Sequence, residues 1–219
     1  FIAEIRDAME QENPDSFLLG EVWEDGSNKV AYSQRRRYLL GSETHGLMNY
    51  PFRTAALDWL RGGDAACFRD TMETIREHYP RPAFYSALNI LGTHDTPRIL
   101  TLLGAEHVPG TKDARAAYRL SPEERQKGEA RLRVGEMLLY CFPGSPTVYY
   151  GDEAGMEGFE DPLNRKTYPW DRQDRALLDF FRSLGQLRRH RPSLQDGDLT
   201  YVYAQGGALV LRRQLGDEI

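Results

Sequence analysis

Short apolar runs alternate with longer stretches of helical spacing along the chain. "FLLGEV" at 17–22, "GLMNY" at 46–50, a run inside "FYSALNILGTHD" at 84–95 and "PTVYYG" at 146–151 each fit a short buried strand. Pro51 stops the second of them. Between the strands the spacing predicts helices. Phe1, Ile2, Ile5, Ala8 and Met9 recur at helical intervals, and "NPD" ends that helix near residue 12. Residues 27–40 read as a helix with Arg35, Arg36 and Arg37 on a solvated face. Residues 53–61 and 64–78 form a helix pair broken at Gly62 and Gly63. A polar loop follows residue 95 to about residue 120. "SPEERQKGEARLRVGEMLLYCF" then opens a helix with strong start chemistry: Ser121 can cap, Pro122 takes the first helical position, and Glu124 can close a capping box. A last helix covers 174–190. "LTYVYAQGGALVLRR" alternates apolar and polar residues around Gly206 and Gly207, which predicts an antiparallel hairpin.

Four buried strands separated by helices point to a parallel sheet, either doubly wound or a (β/α)8 barrel. No G-x-G-x-x-G follows a strand and no P-loop is present. "GDEAGMEG" carries glycines, but its carboxylates would repel a phosphate.

Composition narrows the classes further. The 219 residues suffice for one domain with a sizeable core, or most of a larger one. The net charge of −5 gives no support for nucleic-acid binding. No apolar stretch approaches a membrane span. Cys67 and Cys141 lie far apart in apolar surroundings and read as buried thiols, not as a disulfide or metal framework. The chain starts on a helical pattern without Met and stops at "LRRQLGDEI", so we expect a piece of a longer protein, and the missing leader leaves the compartment open.

The strand ends carry the candidate chemistry. "FLLGEVWED" places Glu21 at the end of one apolar run, "ALNILGTHD" places His94 and Asp95 at the end of another, and "TVYYGDE" places Asp152 and Glu153 at a third. In a barrel these ends meet on one face, where active sites are built. Converging carboxylates without His or Cys ligand clusters favour glycoside hydrolysis over metal chemistry. Trp23, Tyr50, Tyr149, Tyr150 and Trp170 offer rings on which sugars stack. The plainer alternatives are loop-capping acids and salt bridges.

At these residues the sequence resembles the α-amylase superfamily, glycoside hydrolase family 13, in its neopullulanase and cyclomaltodextrinase branch. "LLGEVW", "LMNYPF", "LNILGTHDTPR", "GSPTVYYGDEAGMEG" and "DPLNRKTYPW" match in the family's order over most of the chain. The resemblance implies that residues 1–194 supply strands five to eight of a (β/α)8 barrel and that residues 195–219 begin a C-terminal β-sandwich domain. It makes Glu21 the general acid/base and Asp95 the third carboxylate, which holds substrate hydroxyls and stabilises the transition state. His94 becomes a substrate contact beside Asp95. The nucleophilic Asp would stand on strand four, before residue 1. A retaining mechanism follows, with acid and nucleophile about 5–5.5 Å apart and the acid set among apolar walls and neighbouring negative charge.

Some of the remaining candidates have two readings. Trp23 is a substrate-binding aromatic or core, and Tyr50 a substrate-binding aromatic. Arg165 is a substrate contact on the loop over the pocket or the partner of Asp161, with the ion pair preferred, and Asn164 shapes the same loop. Asn89 is expected to tie barrel layers together, and Asp152 and Glu153 to support their loop. Glu24 stands where the branch often has His, which bears on the choice of acceptor.

The expected substrate is an α-1,4-glucan: a cyclodextrin, a maltooligosaccharide or pullulan. No cofactor and no metal is implied by these residues. Nucleic acid and membrane are not expected partners, and the branch favours a cytoplasmic setting. Exposed barrel edges would allow a homo-oligomer. Two alternatives stand beside hydrolysis: a transglycosidase or isomerase of the same family, and a barrel kept as a binding module.

Overall fold

A computed structural model describes residues 1–219. Helix α1 (Ile2–Glu12) buries none of its residues and leads to strand β1 (Leu19–Gly20). A 3-10 turn at Gly26–Asn28 precedes two short antiparallel strands, β2 (Val30–Ala31) and β3 (Gln34–Arg35). Then come β4 (Gly46–Asn49), α2 (Tyr50–Leu60), α3 (Ala65–His78), α4 (Arg81–Tyr85) and β5 (Leu88–Ile90). Helices α5 (Ile99–Gly104), α6 (Lys112–Ala117) and α7 (Pro122–Cys141) lead to β6 (Ser145–Thr147). Helices α8 (Arg175–Arg189) and α9 (Pro192–Asp196) and the hairpin β7 (Asp198–Gln205) and β8 (Ala208–Gln214) complete the chain.

Four strands form one sheet in the order β1-β4-β5-β6, each neighbouring pair parallel. Leu19 stands opposite Gly46, Met48 opposite Leu88, and Asn89 opposite Pro146. Parallel pairing with helical crossovers brings every C-terminal strand end to one edge of the sheet. That edge is where Glu21, Tyr50, Asp95 and Asp152 begin their loops. The sheet and its helices have the character expected of part of a barrel.

Side chains chosen by burial hold the helices on the sheet. On α8, Leu177, Phe181 and Leu184 are buried at intervals of four and three, one helical face. Asp174 caps that helix at Leu177 N, and Asp64 caps α3 at Ala66 N. The capping box of α7 forms as the sequence predicts, with Ser121 and Glu124 exchanging backbone bonds. Between the layers Phe142 meets Phe52, Phe68 and Phe84, all fully buried. Removing one such ring costs roughly 3–5 kcal/mol.

Polar groups are built into the layers as well. Asn89 is completely buried; its amide donates to Pro143 O at 2.7 Å and its carbonyl accepts from Asn49 Nδ2 at 2.9 Å. Asn49 in turn caps α2 at Phe52 N. Layer-tying by Asn89, expected from the sequence, is therefore what the structure shows. At the C-terminus of α7 two arginines take the carbonyls that a helix end leaves without partners. Arg188 donates to Tyr140 O, Phe142 O and Gly144 O. Arg213, from β8, donates to Cys141 O and to Gly197 O.

Several expectations need correcting. Residues 27–40 are not helical: they make the 3-10 turn and the β2–β3 ribbon, because Tyr32 and Ser33 take positive φ and turn the chain back. The segment after residue 95 is no continuous polar loop, since α5 and α6 form within it; α5 is pinned by buried Ile99, Leu100 and Leu103. Residues 81–85 are helical, which leaves only Leu88–Ile90 as strand. Helix α2 starts at Tyr50, one residue before Pro51, so that proline opens a helix as well as ending a strand. Cys67 is exposed on α3 and Cys141 only partly buried. Both fall outside the buried-thiol reading because the surrounding apolar residues point to the other face of their helices.

Candidate active site

Most candidate side chains follow a strand by one to a few residues; Arg165 lies further on, in the segment between β6 and α8. Glu21 comes directly after β1, Tyr50 directly after β4, and Thr93, His94 and Asp95 a short way after β5. The first three candidates converge. The Tyr50 hydroxyl donates to Glu21 Oε1 at 2.7 Å, and the Trp23 indole stacks on the Tyr50 ring at 4.4 Å and 14°. Tyr50 is only 2 % exposed, so its ring face is taken by Trp23 and its hydroxyl is the group it offers to the site. Trp23 is half exposed, presenting its outer face to solvent. Glu21 is exposed. Among residues 1–219 the apolar walls beside the carboxylate are these two rings.

The loop after β5 forms the second group. Its backbone is fixed by a local turn in which Thr93 N donates to Thr96 Oγ1 and Asp95 N to Thr93 Oγ1. His94 Nε2 lies 3.3 Å from Asp95 Oδ2. Arg165 Nη2 donates to Asp95 Oδ1 at 3.0 Å, while its Nε reaches Asp161 at 2.7 Å and His94 O at 3.1 Å. The Asp161 ion pair expected of Arg165 forms, and the same guanidinium also bonds the candidate carboxylate Asp95. Asn164, fully buried, donates to His94 O and Thr96 O and so ties the 158–165 loop to this turn.

Tyr50 links the two groups electrostatically. Burial, reinforced by the hydrogen bond to Glu21, pushes its phenol up to about 12; the Asp95 charge adds to the rise and the Thr93 hydroxyl opposes it. A neutral phenol thus donates to Glu21 and lies within electrostatic reach of Asp95, its own strand β4 standing between the strands of the two acids. The loop that follows Glu21 is clipped to α3 by Tyr79, whose hydroxyl accepts from Gly26 N, and by His78 against Asp25. Burial works to raise the Asp25 carboxyl, but the bonds from His78 and Ser27 hold it below its ordinary value.

Three charged residues beneath this edge escaped the sequence reading. Arg98 is fully buried and pairs with Asp152, whose carboxyl burial pushes up to about 7 against the pull of Arg98 and Arg53. Arg53 donates to Leu91 O. Glu136, buried on α7, is driven well above the ordinary carboxyl range by burial and by the nearby charges of Asp152 and Glu153. The only sequence signals for them are a charge beside apolar "ILTLL" and another inside apolar "VGEMLLYCF". No group of three or more His, Cys, Asp or Glu side chains is placed to hold a metal ion.

Comparison with known proteins agrees with this geometry. The sequence matches the family model for the alpha amylase catalytic domain over residues 1–176. It is 35 % identical over 227 aligned positions to an amylopullulanase of Thermoanaerobacterium saccharolyticum, covering 98 % of this chain and 16 % of that protein. It is 32 % identical to a cyclomaltodextrinase of Geobacillus thermopakistaniensis, covering 93 % of this chain and 30 % of that one. The chain therefore spans well under half the length of the curated relatives it matches. Among solved structures, the cyclic alpha-maltosyl-(1→6)-maltose hydrolase of Arthrobacter globiformis superposes with a TM-score of 0.80 at 26 % identity, over 99 % of this chain and 43 % of that one. A parallel sheet with chemistry at its C-terminal edge, a family match over four-fifths of the sequence and relatives of this kind lead to one statement: the chain belongs to the alpha-amylase family, whose catalytic-domain model its residues 1–176 match.

Proposed function

We propose that residues 1–219 form part of a retaining α-glycoside hydrolase acting on α-1,4-glucans such as cyclodextrins, maltooligosaccharides or pullulan. Glu21 is the general acid/base and Asp95 the carboxylate that holds substrate hydroxyls and stabilises the oxocarbenium-like transition state. The nucleophilic carboxylate comes from a part of the protein outside these residues. His94 and Arg165 orient Asp95 and substrate, and Trp23 provides the sugar-stacking face. The observation that carries the reading is the Tyr50 phenol donating to Glu21 on the same strand-end edge of the sheet from which the Asp95 loop leaves. The names of the relatives, amylopullulanase and cyclomaltodextrinase, support the substrate class. The reading also divides the chain at 194/195, with the β7–β8 hairpin opening a C-terminal β domain.

The test uses the complete protein to which these residues belong. Reducing-sugar release is measured on cyclodextrin, pullulan and starch for wild type and Glu21→Gln. We expect turnover in the wild type and a loss of at least about a thousandfold in the variant. A wild type that binds maltooligosaccharide without turning it over would replace this reading with the binding-module one.

A further inference from the structure

We propose that Arg98 and Asp152 form a buried positioning pair that sets the placement of Asp95 for catalysis; this rests on the assignment of Asp95 made above. Asp95 has little anchorage of its own. Its carboxylate is partly exposed, and its side-chain partners Arg165 and His94 are more exposed still. The rigid point of the loop lies three residues on. Arg98 is wholly buried, and Pro97 stiffens the link between the two.

From that point Arg98 reaches two stretches of the long segment between β6 and α8, residues 149–152 and Gly158. Its backbone N–H donates to Gly158 O at 2.9 Å. Its Nη1 donates to Tyr150 O and to Asp152 Oδ1, while its guanidinium lies against the rings of Tyr149 and Tyr150 at 4.2 and 4.6 Å. Asp152 closes the loop from the other side. A Cβ added at Gly92 would stand 2.7 Å from Asp152 Oδ2, so the carboxylate rests directly on the backbone that leads into Thr93 and Asp95. Arg53, bonded to Leu91 O, brackets the same backbone one residue earlier.

Stability alone does not account for the pair. Burying two charges costs several kcal/mol per ion, and apolar residues of similar volume serve folding as well or better. Arg98 also leaves Nε and Nη2 buried without partners, a further cost. What the pair supplies is register: a salt bridge with one geometry fixes the β5 loop against the β6 loop, which a greasy contact would let slide. A displacement of about 1 Å at a reacting group can cost on the order of a hundredfold.

The experiment compares Arg98→Lys, Asp152→Asn and the apolar pair Arg98→Met/Asp152→Leu in the complete protein, with Glu21→Gln as reference. Kinetics on a maltooligosaccharide are read with thermal midpoints and with maltooligosaccharide affinity from tryptophan fluorescence. Expected are a tenfold to hundredfold drop in kcat for the apolar pair, KM and affinity within about twofold, and a midpoint near or above wild type. Arg98→Lys, which keeps the charge and loses the planar guanidinium that lies against Tyr149 and Tyr150, should retain only part of the rate, and Asp152→Asn more of it. Full kcat in the apolar pair, or a loss confined to KM, overturns the proposal while leaving Glu21 untouched. If the apolar pair does not fold, Asp152→Asn decides: a normal midpoint with unchanged kcat overturns the proposal, and a lowered kcat supports it. Wild-type turnover in Glu21→Gln removes the catalytic assignment and this proposal with it.

Discussion

Replacing Tyr50 by Phe removes one oxygen and nothing else. The ring stays buried under Trp23, so the 4.4 Å stack and the wall it forms persist. What disappears is the 2.7 Å hydrogen bond to Glu21 Oε1. Hydrogen bonds to charged groups contribute roughly 1.5–3 kcal/mol. Glu21 is exposed, so water takes over part of the role, which places the effect near the lower end, about 1.5 kcal/mol. If the bond orients the acid in the transition state, kcat/KM falls roughly tenfold, since about 1.4 kcal/mol is a factor of ten. The loss should appear in kcat, because no sugar-facing surface changes. The pH dependence gives a second check. The Tyr50 phenol is held at about 12, so it remains a neutral donor across the range from about pH 5 to 9. The phenol's own titration therefore adds no pH dependence in that range, and a ratio of wild type to Tyr50→Phe that varies there reports the lost hydrogen bond to the carboxylate. Initial rates on a soluble maltooligosaccharide at several pH values measure it. A variant as fast as wild type at every pH would refute the orienting role.

Three further outcomes follow from buried or bridging groups. Glu136 is raised by burial, so the folded state binds its proton more tightly than the unfolded chain does; stability from this group is fully present below the unfolded carboxyl pKa and is lost as pH rises above it. Glu136→Gln should then gain thermal midpoint over wild type on moving from about pH 5 to 8, and parallel midpoints would refute the buried titration. Asn89→Ala leaves Pro143 O and Asn49 without their partner in a dry interior and should cost about 2–4 kcal/mol by denaturant midpoint; a loss under about 1 kcal/mol would mean the layers do not depend on it. Arg165→Lys cannot span Asp161 and Asp95 with one planar fork, so substrate affinity should weaken by about three- to tenfold with little change in midpoint, because both ion pairs are substantially exposed.

What the sequence made legible was local. Ser121, Pro122 and Glu124 announce a helix start because capping acts over three residues. Glu21 and Asp95 stand out because a carboxylate terminating an apolar run is conspicuous, and a parallel sheet brings such ends together. The β2–β3 ribbon was hidden because its turn is made by Tyr32 and Ser33 at positive φ, where the usual signal would be Asn-Gly or Gly. Helix α5 was hidden because six residues carry too little periodicity to separate a short helix from an apolar loop. The Arg98–Asp152 pair joins positions 54 apart, and no spacing rule reaches so far. Burial was legible for rows of apolar residues but not for single charges, whose placement depends on the finished packing.

The two arginines at the end of α7 have a consequence for how the molecule comes apart. Arg213 belongs to the hairpin, and Arg188 lies on α8, yet both hold carbonyls at the last turn of a helix that backs the sheet. Peeling the hairpin away would leave Cys141 O without its donor and would uncover Leu199, which shares the main apolar core. We expect the hairpin and the α/β layers to open together. Amide hydrogens of β7 and β8 facing each other should exchange at rates set by opening of the α7–sheet layer rather than by fraying of a two-stranded ribbon. A boundary in strand topology near residue 194 is then no boundary in folding energy.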